Sequence, residues 1–398
     1  MLRLLLRKVR GTMLLLRKAF IVITPASRTR PDQIQDNADT HDAIFLEGPS
    51  QRPNSNIQRP KFLIFHITGN PALIEYYRDF LTHIHTSLSP HAEASNYYFQ
   101  IYGQSLPGFE VSPRSSNANS YPIPPRVEGL EAQIRAVCST LQNTLQSYSE
   151  DDNRTDKPGV ILIGHSVGAY IALEIVRSVR LGSFLSVPQS KPEVRVQHTP
   201  RIISAICLFP TVVDIAKSRS GRIFTPLSKI PYLPEIASGA AKFLTRFLPQ
   251  HTLSRLIKRM TGMPARAATV TAAFLSSDTG VRAALAMARD EMKLITADRW
   301  DKEVWGAAYA STEGERRSKL FFYFGEDDHW VADHTRDDLI AARGRIREGE
   351  HREGEHWKPV MEIDDGGIPH GFCIRHSDEV AEKVVAYVME VVNTELER

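Results

Sequence analysis

The pattern of apolar and polar positions along the chain predicts strands and helices in regular alternation. Short apolar runs that are rich in β-branched and aromatic residues, and that are bounded by Gly, Pro, Asn or Ser, are typical of buried strands. Stretches in which apolar residues recur every three or four positions are typical of amphipathic helices. The runs predicted as strands cover residues 62–67, 97–102, 160–163, 202–209, 319–324 and 360–363.

Helical spacing separates most of these runs, as at residues 130–145 and 380–391. Strands that alternate with helices predict an α/β fold with a mainly parallel sheet and helices on both faces. Between about residues 210 and 319 the strand pattern lapses and helical patterns take over, which predicts a helical cap over the carboxyl edge of the sheet. The predicted division is a core in two parts, with a cap inserted between them: 61–213, 214–318 and 319–398.

Residues 1–60 have a different character. Eight Lys or Arg residues precede the first acid, Asp32, and alternate with Leu-rich clusters, but no uncharged run approaches the roughly 20 residues of a transmembrane helix. Three interpretations stay open for this leader: a mitochondrial transit peptide, a helix lying in a membrane interface, or a disordered tail without a role. Residues 24–60 are polar and Pro-rich, which predicts a flexible linker and folded structure from Lys61 onwards.

The composition and charge of the chain limit the partners and cofactors that are expected. The 398 residues are 42% hydrophobic, which allows a large core. The net charge of +3 arises from the leader, so no nucleic-acid partner is expected, and nothing indicates the oligomeric state. Three scattered cysteines suit a reducing, intracellular compartment. Neither metal-ligand spacing nor a GxGxxG fingerprint occurs, so no metal and no cofactor is expected.

The strand at 160–163 runs into the pentapeptide GHSVG, and a helical pattern follows it. This context matches the GxSxG nucleophile elbow, in which Gly164 and Gly168 lack side chains so that Ser166 can project above the sheet. Ser166 is the candidate nucleophile, and His165 is expected to have a structural role. The alternative is an ordinary Gly-rich turn between a strand and a helix.

A serine nucleophile needs an imidazole that takes its proton and a carboxylate that orients the imidazole. In α/β-hydrolases the chain order is Ser, then Asp or Glu, then His. The strand at 319–324 is followed by a turn that carries acids, where Asp328 is the candidate and Asp327 the alternative. The strand at 360–363 is followed by a Gly-flanked loop that carries the candidate base, His370; the alternatives are His329 and His376.

The oxyanion of such a reaction is stabilised by the backbone N–H after the nucleophile and by one from the loop after an early strand. Here these positions are Val167 and, in the loop after 62–67, Gly69 or Asn70. An ordinary β-turn at Gly69-Asn70-Pro71 is the alternative.

A second feature lies in the predicted cap. No acid occurs between Glu235 and Asp278, while cations interleave with apolar residues at helical spacing. This pattern predicts contact with an anionic or packing-defective lipid surface. The alternative is that the apolar residues cover the active site from inside. The cations are Lys242, Arg246, Arg255, Lys258, Arg259 and Arg266, and the apolar residues are Phe243, Leu244, Phe247, Leu248, Leu253, Leu256, Ile257 and Met260.

Four segments together resemble the lipid droplet-associated hydrolases over residues 61–395: ITGNP with the following YY, GHSVGAY, LFPT continuing to GRIFTPL, and IPHGF. The pairing of LFPT with GRIxTPL is the most distinctive. The resemblance implies an α/β-hydrolase fold, a triad of Ser166, Asp328 and His370, a location on lipid droplets often with endoplasmic reticulum, and neutral lipid esters, including sterol esters, as substrates. Two departures stand out: Ala72 replaces the last Gly of the family's GNPG loop, and residues 234–248 are more polar than expected.

The residues and the resemblance together predict a serine lipase or esterase that acts on neutral lipid esters through an acyl-enzyme at the lipid droplet surface. Two alternatives stay open. One is a scaffold at droplets or organelle contacts with little turnover, and the other is an acyltransferase that uses the same triad.

Overall fold

A single seven-stranded sheet organises the part of the chain that the computed structural model describes, which is residues 42–49, 60–111, 129–150, 157–184, 199–306, 318–345 and 358–397. The strands are β1 Ala43–Glu47, β2 Lys61–Ile67, β3 Tyr98–Gln104, β4 Gly159–His165, β5 Arg201–Leu208, β6 Lys319–Gly325 and β7 Val360–Asp364. Their order in the sheet is β1-β3-β2-β4-β5-β6-β7, with β1 antiparallel to β3 and all other neighbours parallel.

The α/β prediction is confirmed, and each of the six strands expected from the sequence forms within two residues of its predicted bounds. The expectation that folded structure begins at Lys61 is wrong, because β1 lies in the segment predicted as a flexible linker. Strand β1 pairs along its whole length with β3, from Ala43 opposite Gln104 to Glu47 opposite Gln100. The leader, residues 1–23, lies outside the described residues.

The strands are apolar at consecutive positions because helices cover both faces of the sheet. In β4, Val160 and Leu162 pack on one face and Ile161 and Ile163 on the other. The covering helices are α1 Arg78–Ala94, α2 Leu130–Glu150, α3 Val167–Arg180 and α10 Ser377–Leu396. Helices α2 and α3 contribute to the first layer, and helices α1 and α10 contact each other in the second.

Among the described residues, five α-helices lie between β5 and β6, and their buried apolar side chains belong to the same cluster as the α2–α3 layer. They are α4 Arg219–Leu227, α5 Leu233–Thr245, α6 Gln250–Thr261, α7 Ala265–Ser276 and α8 Gly280–Leu294; α9 Asp333–Arg343 follows β6. Within the described ranges, none of the helices is both long and apolar enough to cross a bilayer.

Candidate active site

Ser166 lies at the junction of β4 and α3 with φ of 55° and ψ of −122°, in a region that residues with a side chain rarely adopt. Such a backbone conformation costs about 1–3 kcal/mol and persists only where the surroundings hold it. The conformation turns the chain sharply from strand into helix, so Ser166 lies at the carboxyl end of β4 and immediately before the first turn of α3.

The two glycines of the pentapeptide are required by backbone packing. A Cβ on Gly164 would lie well under 3.0 Å from the carbonyl of Gly168, and a Cβ on Gly168 would lie equally close to the carbonyl of Ile67 in β2. Both neighbours are main-chain atoms that cannot rotate away. The spacing of the motif therefore reflects direct contact between the start of α3, β4 and β2.

The segment Leu208-Phe209-Pro210-Thr211 holds the elbow from the β5 side. The N–H of Ser166 donates to the Leu208 carbonyl at 3.0 Å, and the N–H of Thr211 donates to the Ser166 carbonyl at 3.4 Å. Phe209, between them, has a positive φ of 45°. The LFPT motif thus supplies hydrogen bonds on both sides of the strained serine.

Three of the residues singled out from the sequence meet at this edge of the sheet. The Oγ of Ser166 lies 2.9 Å from Nε2 of His370, and Nδ1 of His370 lies 2.7 Å from Oδ2 of Asp328. All three residues are buried, with 6% of Ser166, 7% of His370 and 6% of Asp328 exposed. Because a carboxylate only accepts, Nδ1 carries the hydrogen of the neutral ring, and Nε2 is left to accept the serine hydroxyl.

Hydrogen bonds fix the loop that carries Asp328. Its second oxygen, Oδ1, accepts the N–H of Trp330 at 2.8 Å. The buried guanidinium of Arg336, in α9, donates through Nη1 to the carbonyls of Gly325 at 3.0 Å and Glu326 at 2.7 Å. The alternative acid, Asp327, is exposed.

The loop that carries His370 is organised by Asp364, the last residue of β7. One oxygen of Asp364 accepts the hydroxyl of Tyr323 and the other the N–H of Ile368, both at 2.7 Å. Gly367 takes a φ of +70°, which explains a glycine there.

Neither of the two alternative histidines, His329 and His376, occupies the position of the base. The ring centroid of His329 is 5.7 Å from that of His370, and burial lowers its pKa to about 4, assisted by the nearby His370. His376 precedes α10 and pairs with Glu379. The structure brings neither of them into hydrogen-bond contact with Ser166.

The loop after β2 approaches the elbow closely. A Cβ on Gly69 would lie 3.0 Å from the Cβ of Ser166. However, the N–H of Gly69 is already donated to the hydroxyl of Tyr77 at 3.0 Å, so Gly69 does not offer a free donor, contrary to expectation. The remaining expected donors are Asn70 and Val167. The N–H of Val167 belongs to the first turn of α3, where helical acceptors are lacking.

Ala72 is fully buried without a positive φ, so its backbone does not require Gly.

The side chain of Asn70 anchors this loop to helix α8. Its Nδ2 donates to the carbonyl of Ala284 at 3.0 Å and to Oε1 of Glu291 at 2.9 Å. Glu291 is 4% exposed, and burial raises the pKa of its carboxyl to about 7, opposed by the Asn70 bond and assisted by Asp290. The sequence reasoning missed Glu291, since one acid within a helix carries no local signal.

Comparison with known proteins identifies the family. A family model described as lipid-droplet associated hydrolase matches residues 60–373, which is more than half of the chain. The chain belongs to this family. Proteins named lipid droplet-associated hydrolase are similar to it: that of Rattus norvegicus is 23% identical over 89% of this chain and 97% of its own, and that of Dictyostelium discoideum is 24% identical over 84% and 88%.

The human lipid droplet-associated hydrolase is 24% identical, over 83% of this chain and 86% of its own. Among solved structures, a peroxisomal α/β-hydrolase from Saccharomyces cerevisiae is similar with a TM-score of 0.49 and 11% identity, over 88% of this chain and 89% of its own. In this member of the lipid-droplet associated hydrolase family, the LFPT segment contacts the elbow directly, while the N–H of Ser220, just before GRIFTPL, donates to the His329 carbonyl beside Asp328 at 2.8 Å.

The packing at Gly168 yields a first prediction. Gly168→Ala should lower the free energy of unfolding by about 3 kcal/mol, because the added methyl meets the main chain of β2. Urea denaturation measures the change. Gly239→Ala is the matched control: nothing lies within 4 Å of a Cβ there, and alanine in the helix interior should raise the same free energy by up to about 1 kcal/mol. Equal effects of the two changes would contradict this account of the elbow.

The burial of Glu291 yields a second prediction. Since its pKa is higher in the folded protein than in the unfolded chain, its contribution to stability is complete below about pH 4.5 and is lost as the pH rises through about 7. Glu291→Gln keeps the shape and an acceptor for Asn70 but never ionises. Its stability relative to wild type should therefore increase by about 3 kcal/mol between pH 4 and pH 9.

Urea denaturation across this pH range measures the difference. Glu131→Gln is the control, because the same change is made at an exposed residue of α2. A difference between Glu291→Gln and wild type that stays constant with pH would refute the assignment.

Proposed function

We propose that this protein is a serine ester hydrolase in which Ser166 is the nucleophile, His370 the general base and Asp328 the residue that orients the base. The observation that carries the proposal is the unbroken series of hydrogen bonds from the Ser166 hydroxyl to the Asp328 carboxylate, at 2.9 and 2.7 Å, at a strained elbow. A hydroxyl bonded to a neutral imidazole, itself held by a buried carboxylate, is the arrangement that activates serine.

The reaction begins when Oγ of Ser166 attacks the ester carbonyl while its proton passes to Nε2 of His370. Asp328 stabilises the imidazolium that forms. Collapse of the tetrahedral intermediate breaks the bond to the alcohol oxygen, which takes the proton from Nε2 and leaves an acyl-enzyme on Ser166. Water then attacks the acyl carbonyl while its proton passes to Nε2 of His370. The bond to Oγ of Ser166 breaks, Oγ takes the proton from Nε2, and the carboxylic acid is released.

The negative charge of the tetrahedral intermediate is stabilised by the backbone N–H groups of Val167 and Asn70. Val167 begins α3, so its N–H lies at the positive end of the helix dipole. The Gly69 N–H is engaged by Tyr77, which leaves Asn70 as the donor in this loop. The two bonds from the Asn70 side chain to α8 hold the loop for this role.

We further propose that helices α4–α8, within residues 214–318, form a cap whose outer face binds the lipid droplet surface. Six of the nine large apolar side chains that are exposed in the described residues lie between Ile223 and Phe247. They are Ile223, Ile230, Tyr232, Ile236, Phe243 and Phe247, with 45–75% of each exposed.

Ile236 and Phe243 lie on α5 seven positions apart, which places them at nearly the same angle around the helix. Tyr232 immediately precedes α5 and Phe247 follows its end, and we call these four exposed residues the apolar stripe. Lys229, Lys242 and Arg246 accompany this stripe, whereas Leu253 and Ile257 from the expected lipid-contacting segment are buried. An apolar stripe flanked by cations suits a phospholipid monolayer that contains anionic lipid.

Neutral lipid esters, sterol esters among them, are the proposed substrates, because an enzyme bound to a droplet meets esters dissolved in its oil. A peripheral location on lipid droplets is proposed from the names of the relatives, and an additional location at the endoplasmic reticulum only from the family resemblance. A scaffold with little turnover and an acyltransferase are the alternatives, and the next experiment addresses both.

The proposed nucleophile is tested with a fluorophosphonate probe, which labels activated serines. Wild-type protein should be labelled, Ser166→Ala should not, and hydrolysis of a p-nitrophenyl ester should fall by about 10⁴-fold or more in the variant. Ser139→Ala is the matched control, because Ser139 lies on the exposed side of α2 with its hydroxyl bonded to the Arg135 carbonyl. Labelling that survives Ser166→Ala would end the hydrolase proposal. A labelled protein that transfers acyl groups to alcohols in preference to water would instead support the acyltransferase.

The lipid-binding stripe is tested by flotation with artificial droplets of triacylglycerol coated with a monolayer containing anionic phospholipid. Replacing both Phe243 and Phe247 by Asp should reduce the bound fraction at least about 10-fold, since each exposed ring would contribute about 1.5–3 kcal/mol on burial in lipid. Leu181→Asp is the control, because Leu181 is also exposed but follows the far end of α3. Equal flotation of the double variant and wild type would remove the proposed surface.

A further inference from the structure

A second series of hydrogen bonds runs behind the candidate triad. The N–H of Gly69 donates to the hydroxyl oxygen of Tyr77 at 3.0 Å, and that oxygen lies 2.6 Å from Nδ1 of His165. On the other side of the ring, Nε2 of His165 lies 2.9 Å from the backbone carbonyl oxygen of His370. The series therefore connects the loop after β2, the elbow and the loop that carries the proposed base.

The direction of every bond in this series is determined. The His370 carbonyl can only accept, so Nε2 of His165 carries a hydrogen. Burial lowers the pKa of His165 well below its usual value, assisted by His370, so the ring is neutral and Nδ1 has no hydrogen. Nδ1 must then accept from the Tyr77 hydroxyl, whose oxygen accepts from Gly69. The Tyr77 hydroxyl therefore accepts one bond and donates one, and each ring nitrogen of His165 takes part in one.

The thiol of Cys373 also interacts with the Tyr77 hydroxyl, and both side chains are otherwise enclosed by aromatic rings. Tyr77 is 2% and His165 5% exposed. The ring of Phe372 packs edge-on against both, with centroids 6.3 Å from Tyr77 and 5.0 Å from His165, and Phe209 packs edge-on against His165 at 6.2 Å. Aromatic rings exclude water from the bonds, so a broken link cannot be replaced by solvent.

We propose that Tyr77 and His165 are positioning residues for catalysis, which hold the oxyanion loop, the nucleophile and the base at fixed separations. The inference rests on the proposed function. Each end of the series adjoins a proposed functional group: Gly69 precedes Asn70, His165 precedes Ser166, and the accepting carbonyl belongs to His370 itself. Neither side chain touches the substrate. Their effect is to prevent the oxyanion donor and the base from shifting independently of Ser166, as preorganised catalysis requires.

Tyr77→Phe is the central variant, because it keeps the ring and removes the link. It should lower kcat for a p-nitrophenyl ester by about 10- to 100-fold while KM changes less than about two-fold, since the lost restraint matters most in the transition state. Tyr76→Phe is the matched control: the neighbouring hydroxyl bonds Oγ1 of Thr271 at 2.8 Å, away from the triad. It should cost similar stability and leave kcat within about two-fold.

A double-mutant cycle separates positioning from general destabilisation. His165→Gln keeps a donor near the position of Nε2 but loses the acceptor for Tyr77, so it breaks the same link from the other side. Adding Tyr77→Phe to His165→Gln should then lower kcat by less than about three-fold. The proposal is wrong if kcat of the double variant falls by the full product of the two single-variant reductions. It is also wrong if Tyr77→Phe retains wild-type kcat.

The ¹⁵N NMR shifts of the His165 ring provide a measurement that does not depend on activity. Between pH 5 and pH 8 the ring should stay neutral, with hydrogen on Nε2 alone; a ring that titrates in this range would refute the inference. The two proposals fail separately. Turnover that survives Ser166→Ala overturns the proposed function, whereas turnover that needs Ser166 but ignores Tyr77 overturns only the positioning role.

Discussion

Main chain packs directly on main chain where β2 passes the beginning of α3, and the rest of the candidate site depends on this contact. The carbonyls of Ile67 and Thr68 approach Gly168 so closely that no side chain fits between them. The contact brings the loop after β2 against the elbow. It also leaves Ser166 in a strained conformation, which the bonds to Leu208 and Thr211 hold. Strain of about 1–3 kcal/mol is sustained here because neighbouring strands restrain the serine on both sides.

Much of this could be predicted from the sequence, because the signals were local. An apolar run that includes Val160, Leu162 and Ile163 indicates a strand that is buried on both faces. A glycine on each side of a serine indicates a tight turn. Strand β1 could not be found in this way. It is a five-residue edge strand with one fully buried apolar residue, Ile44, and its stability comes from pairing with β3, more than 50 residues away in the chain.

Residues that act through long-range hydrogen bonds were also missed. In the sequence, Tyr77 is one apolar position of a helical pattern and Arg336 is one charge of a polar helix. Their roles depend on hydrogen-bond partners that lie on other elements. Gly69 was named as a donor because its position in the loop suits that role; only the structure shows its N–H engaged. Similarly, the pattern in the cap indicated apolar helices but not that Ile236 and Phe243 of α5 would be exposed.

The three triad residues are far apart in the chain, and each is therefore held in place by its own set of hydrogen bonds. His370 is 204 positions from Ser166 and 42 from Asp328, so no local geometry fixes their separation. Each member follows a different strand, and each is held by different bonds: Ser166 by the LFPT segment, Asp328 by Trp330 and, through its loop, by Arg336, and the His370 loop by Asp364. These bonds fix each loop relative to nearby residues but do not join the three loops to one another. A shift of 1 Å between loops would lengthen a 2.9 Å hydrogen bond beyond the useful range. A buried side chain bonded to two loops at once restricts that relative motion directly, and in the described part of this site His165 has that arrangement, between Tyr77 and the His370 carbonyl.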